Sequence, residues 1–151
     1  MVDIDDYNLM VARKLGCDAT VNNHTEDLIA RAEELTDGIG FDMVFLAYGD
    51  EKVLEQASLI TKRGGIMQFH AAMVNGIGFP YTTCLLREIT LHPYQMYQNE
   101  DFVAVANAIA DGTMKVDNLI THRYPIEKFA EAMNMAANRP EPAVKVMMFF
   151  D

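Results

Sequence analysis

The side chains with chemistry to offer are four histidines, two cysteines and a scatter of carboxylates and cations. His24, His70, His92 and His122 have no mutual spacing that would set ligands on one face, as a zinc site needs. Cys17 and Cys84 are far apart with no CxxC, which reads as two buried, inert thiols in a reducing compartment. No Ser-His-Asp set, P-loop or carboxylate pair stands out. Asp3 lies at the end of the first apolar run, with Asp5 and Asp6 beside it, and a carboxylate there can accept from hydroxyls. His122, in LITH, is expected to make structural hydrogen bonds, and most of the eleven methionines to fill the core.

These groups sit in a chain of 151 residues, enough for one ordinary domain and a working core. Half the residues are apolar and the formal charge is −10. Such acidity argues against a nucleic-acid surface, which needs clustered Lys and Arg, and against docking on anionic lipid. It reads as a solubility device. There is no run of about 20 apolar residues to span a membrane. The opening MVDIDDYN lacks the basic and apolar regions of a signal peptide, and the two lone cysteines suggest a cytoplasmic protein.

The elements that must position these groups alternate. Residues 2–4 read as the end of a strand, and Asp5 or Asp6 caps a helix carrying Leu9, Ala12 and Leu15 that ends at Gly16. Residues 19–22 form a short strand. Thr25 is expected to cap a helix with its stripe at Leu28, Ala32 and Leu35, stopping at Asp37-Gly38. Residues 42–48, between Gly40 and Gly49, look like a strand buried on both faces. A helix through Val53, Leu54, Ala57 and Ile60 follows, and Gly64-Gly65 leads into a strand over 66–70. A loop is expected over 71–84 and a strand over 88–92. Beyond Tyr94 come a helix over 99–111, the pair Leu119-Ile120, a helix opened by Pro125 and a strand over 144–150. The alternation implies an α/β fold, a parallel sheet whose ligands bind beyond the carboxyl ends of its strands.

The ordered set ARKLGCDATVNN, TDGIGFDMVFLAYG, KRGGIMQFH and NLITHRYPIEKFAEAMNMAANRPEPAVKVMMF resembles the C-terminal half of the zinc-type medium-chain alcohol and polyol dehydrogenases. The resemblance covers nearly the whole chain. It implies a partial dinucleotide-binding domain over residues 1–95 and a C-terminal segment returning to the catalytic domain over 96–151. The chain then begins inside the family's second strand. Missing from it would be the N-terminal Cys, His and Glu zinc ligands, the cysteine-rich lobe, and the first strand with its glycine-rich turn. The fold implied is an incomplete Rossmann-type parallel sheet. In the order 3-2-1-4-5-6, strand 1 is central, so its neighbours would lose a shared partner. A methionine internal to a longer strand is the expectation for Met1.

The resemblance also assigns roles. Asp3 would accept from the adenosine ribose hydroxyls and repel a 2′-phosphate, which implies NAD rather than NADP. Lys145 would reach the cofactor pyrophosphate. Ala47, Tyr48 and Gly49 would border the adenosine side, and Phe69, His70 and Ala71 the nicotinamide. The family commonly has glycine where this chain has His70-Ala71. His92, Pro93 and Tyr94 fall where the family's small residues border the nicotinamide, and the histidine and tyrosine would crowd that pocket or line it differently.

The activity implied is hydride transfer between NAD and an alcohol or polyol, with zinc polarising the substrate oxygen. The zinc ligands are not among these residues. The expectation for this chain alone is therefore no turnover and weak or absent NAD binding. Two rivals stand beside it. One is a non-catalytic assembly module self-associating through the strand between Glu88 and His92, whose counterpart pairs the family's dimers. The other is a degenerate nucleotide binder of some other doubly wound family.

Overall fold

The computed structural model describes residues 1–70, 77–94 and 96–150. In chain order these form β1 (Val2–Asp3), α1 (Asp6–Lys14), β2 (Val21–Asn22), α2 (Leu28–Thr36), β3 (Phe41–Leu46), α3 (Glu51–Ile60) and β4 (Thr61–Phe69). There follow α4 (Tyr81–Leu86), β5 (Thr90–Pro93), α5 (Asn99–Ala110), β6 (Ile120–Pro125), α6 (Phe129–Asn138) and β7 (Lys145–Phe149). Contacts gather into two compact units, one of residues 26–97 and one of residues 1–25 with the chain from 98 onward.

In the unit of residues 26–97, β3, β4 and β5 form a parallel sheet in that order. Leu46, Leu54, Ala57, Met67, Cys84 and Ile89 form its core, between the sheet and helices α3 and α4. Leu54 and Met67 are fully buried, worth about 1.5–3 kcal/mol each in transfer free energy. The helix starts are set locally. Asp27 caps α2, accepting from the Ile29 and Ala30 amides at 3.0 and 3.2 Å, and Asp50 caps α3 through the Val53 amide at 2.8 Å.

In the other unit β1 pairs with β2 and β6 with β7, both parallel. Asp5 caps α1, which buries Leu9, Val11 and Ala12. Helix α6 packs on β6 and β7 and buries Ala132 and Met135. The α/β class and the parallel strands agree with the sequence reading. Within each unit the neighbours are β1 beside β2, and β3-β4-β5 in that order.

Several local expectations are corrected. Asp27, not Thr25, caps α2, because its carboxylate stands immediately before the first helical residue. Strand β4 starts at Thr61, straight off α3. Its register against β3 jumps from Phe41↔Thr61 to Met43↔Ile66, so Gly64 and Gly65 lie within a bulge rather than before the strand. Gly64 takes φ +70°, and a Cβ on Gly65 would stand 2.8 Å from Thr61 Cγ2. Helix α4 occupies part of the expected loop; residues 71–76 lie outside the described ones. Strand β3 is not buried on both faces within its unit. Leu46 faces the core, while Met43 and Phe45, on the alternate face, are exposed. Pro125 ends β6, a strand longer than Leu119-Ile120 suggested, and α6 begins only at Phe129 after a 3₁₀ turn.

Candidate functional site

Asp3 ends β1, and the turn into α1 wraps its carboxylate. Oδ1 accepts from the backbone amides of Ile4 at 2.7 Å and Asp5 at 3.0 Å, and Oδ2 from Asn8 Nδ2 at 3.1 Å. A carboxylate offers about four lone-pair positions, so three donors leave room for an incoming hydroxyl. Asn8 Oδ1, the other half of that amide, is buried with no partner among the described residues. Across the same strand pair, Asn22 Nδ2 donates to Asp6 Oδ1 at 2.7 Å. Sequence reasoning missed Asn8. Its signal was an amide two residues after the helix start, five residues from a strand-end acid.

The carboxyl ends of β3, β4 and β5 lie side by side. The His70 amide donates to the Leu46 carbonyl and the Tyr94 amide to the Phe69 carbonyl, each at 2.9 Å, so the ladder continues past the strands. This sets Leu46 beside Phe69 and His70, and Gln68 and Phe69 beside His92 and Pro93, with Tyr94 next along; Ala47, Tyr48 and Gly49 continue the chain from the end of β3. The rings form a row. Phe45 stacks on His70 with centroids 6.0 Å apart at 23°, and His70 meets Tyr94 at 5.8 Å and 57°. Phe45 was not singled out from sequence, although strand alternation from Leu46 puts it on the open face. Ala71 lies outside the described residues. Asp3 and Lys145 belong to the other unit.

Lys145 is the first residue of β7, and its side chain is exposed. It pairs with Ile120, after which the register slips, His122 facing Val146. Thr121 is the extra residue. Its hydroxyl accepts from the Val144 amide at 3.1 Å and donates to the Lys145 carbonyl at 3.2 Å. His122 Nδ1 lies 3.0 Å from that hydroxyl, and Nε2 lies 3.1 Å from Glu141 Oε1. His122 thus makes the structural contacts expected of it.

Among the described residues no group of three or more His, Cys, Asp or Glu could hold a metal ion, so the side chains do not fit a zinc site. Cys84 is buried, and desolvation raises its thiol pKa above the ordinary value, which keeps it protonated. No helix among the described residues is long and apolar enough to cross a membrane.

The family model for zinc-binding dehydrogenases matches residues 1–111. The chain belongs to that family. An uncharacterised zinc-type alcohol dehydrogenase-like protein of Escherichia coli is 27% identical over 145 residues, covering 96% of this chain and 41% of its own length. The D-arabitol-phosphate dehydrogenase of Enterococcus avium is 29% identical over 145 residues, covering 95% and 41%. Among solved structures, an Escherichia coli oxidoreductase/dehydrogenase of unknown specificity superposes with a TM-score of 0.89 at 25% identity, over 99% of this chain and 43% of that one. The chain thus spans about two-fifths of the length of the relatives it matches.

Proposed function

We propose that this chain is the C-terminal portion of an oxidoreductase that moves hydride between NAD and an alcohol or polyol. NAD supplies the hydride chemistry when bound; these residues would bind and orient it. Asp3 accepts from the adenosine ribose, Ala47, Tyr48 and Gly49 border the adenosine side, and Lys145 meets the pyrophosphate. Phe69, His70, His92, Pro93 and Tyr94, with Ala71, flank the nicotinamide. The observation that carries this reading is the Asp3 carboxylate. It is held by three donors at the end of a parallel strand and keeps acceptor capacity, with Asp5 and Asp6 adding charge against a 2′-phosphate. The polyol class is supported by the arabitol-phosphate relative. Because the side chains present do not fit zinc, no metal step is assigned to them. We place the protein in the cytoplasm, on its two unpaired cysteines.

The test is a nuclear magnetic resonance titration of the 151-residue chain with NAD and NADP. NAD should shift resonances at Asp3, at the ends of β3 to β5 and at Lys145, with a dissociation constant weaker than about millimolar for want of a glycine-rich turn. NADP should bind more weakly still. No zinc-dependent alcohol oxidation is expected. Shifts elsewhere, equal affinity for NADP, or turnover by the purified chain would each overturn the reading.

A second reading has its own support. All four residues of β5 are exposed, and among the described residues β5 pairs only with β4. We propose this edge as a self-association surface, whether or not the assembly is catalytic.

A further inference from the structure

We propose that Thr121 is a positioning residue for Lys145, its hydroxyl acting as a clamp that fixes where the ammonium is presented to phosphate. The proposal rests on Lys145 meeting the cofactor pyrophosphate, the role given to it above. Strands β6 and β7 would ordinarily join through backbone bonds throughout. At the slip between Ile120 and His122 the register shifts by one residue, and the Thr121 side chain bonds to the partner strand. One hydroxyl bridges two consecutive residues of the partner strand, accepting from the Val144 amide and donating to the Lys145 carbonyl. The hydroxyl thus holds the peptide unit before Val144 and the one after Lys145, bracketing the two residues. The bond to the Lys145 carbonyl restrains the backbone from which the lysine stem leaves.

The His122 ring stands 3.0 Å from the hydroxyl, and Glu141, on the segment between α6 and β7, lies 3.1 Å from the ring's far nitrogen. The His122 side chain is 16% exposed, so the ring is held largely out of water. A bulge that re-aims a side chain is a recurrent device beside binding sites, because an extra residue turns the strand locally. Lysine needs such help more than arginine does, being a point charge on a four-carbon stem with no planar fork to pre-organise it.

The experiment uses the whole chain, labelled with ¹³C at lysine, and inorganic pyrophosphate at low ionic strength as the probe. In the parent chain pyrophosphate should shift the Lys145 side-chain resonance. Thr121→Val keeps the shape and removes the hydroxyl, and should weaken pyrophosphate binding about five-fold, the worth of one net hydrogen bond. Thr121→Ser should restore it. Lys145→Met should abolish it whatever residue stands at 121. If Lys145→Met abolishes binding while Thr121→Val does not weaken it, the clamp is wrong and the Lys145 role stands. If Lys145→Met leaves binding intact, or the parent binds none, the Lys145 role falls and the clamp with it. Failure of Thr121→Ser to rescue would mark the hydroxyl as merely structural and overturn the proposal. Should Thr121→Val not fold, the parent decides. Pyrophosphate must then slow hydrogen exchange at the Val144 amide, and unchanged exchange refutes the clamp.

Discussion

Gly40 shows how a single residue decides what the surrounding elements can do. It joins α2 to β3 at φ +89°, and a Cβ there would stand 2.8 Å from both the Ile60 carbonyl oxygen and the Lys62 amide nitrogen. Both obstacles are backbone, so neither can turn aside. Gly40→Ala combines left-handed strain with a clash and should cost on the order of 2–4 kcal/mol, read as a lowered denaturant midpoint. A loss below about half a kcal/mol would mean the turn relaxes freely, against this close approach. The sequence marks Gly40 only as a boundary, since backbone proximity 20 residues along the chain leaves no local trace. Asn8 is comparable. Its amide orients Asp3, yet in sequence it is one polar residue on a capped helix.

At the scale of elements, Asp42 on β3 and Lys62 in the bulge of β4 form an exposed ion pair. The hydrogen bond from Lys62, and then its charge, lower the Asp42 pKa below the ordinary aspartate value. A lowered folded-state pKa contributes stability above the unfolded value, lost as pH falls through the folded one. Asp42→Asn should therefore lower stability slightly at neutral pH, and parent and variant should converge in acid below the lowered pKa. Added salt should shrink the neutral difference, since the pair is open to solvent. A gap that persists in strong acid would assign the effect to something other than charge. The existence of nearly every helix and strand was legible, because capping acids and apolar periodicity are local. The β3–β4 slip, the length of β6 and the late start of α6 were not, since register and pairing depend on a partner distant in the chain. In the candidate site, neighbouring strand ends were legible from alternation, but the row of Phe45, His70 and Tyr94 needed coordinates.

For the whole molecule, charge opposes edge pairing. Two copies joined along β5 would each carry a formal −10, and the edge itself is short and ends in Pro93, which has no amide to donate. Both features weaken pairing, so self-association should be slight at low salt and grow as the charges are screened. The screening length falls from about 10 Å at 0.1 M salt to about 3 Å at 1 M. Sedimentation equilibrium across that range should show a rising dimer fraction. Leu91→Glu places another acid at the middle of the exposed strand and should return the chain to monomer throughout. A dimer indifferent to Leu91→Glu would place the contact elsewhere, and a parent that stays monomeric at the highest salt would remove β5 as an assembly surface. Hydrophobic association through some other face also strengthens with salt. The substitution, not the salt series, therefore identifies the edge.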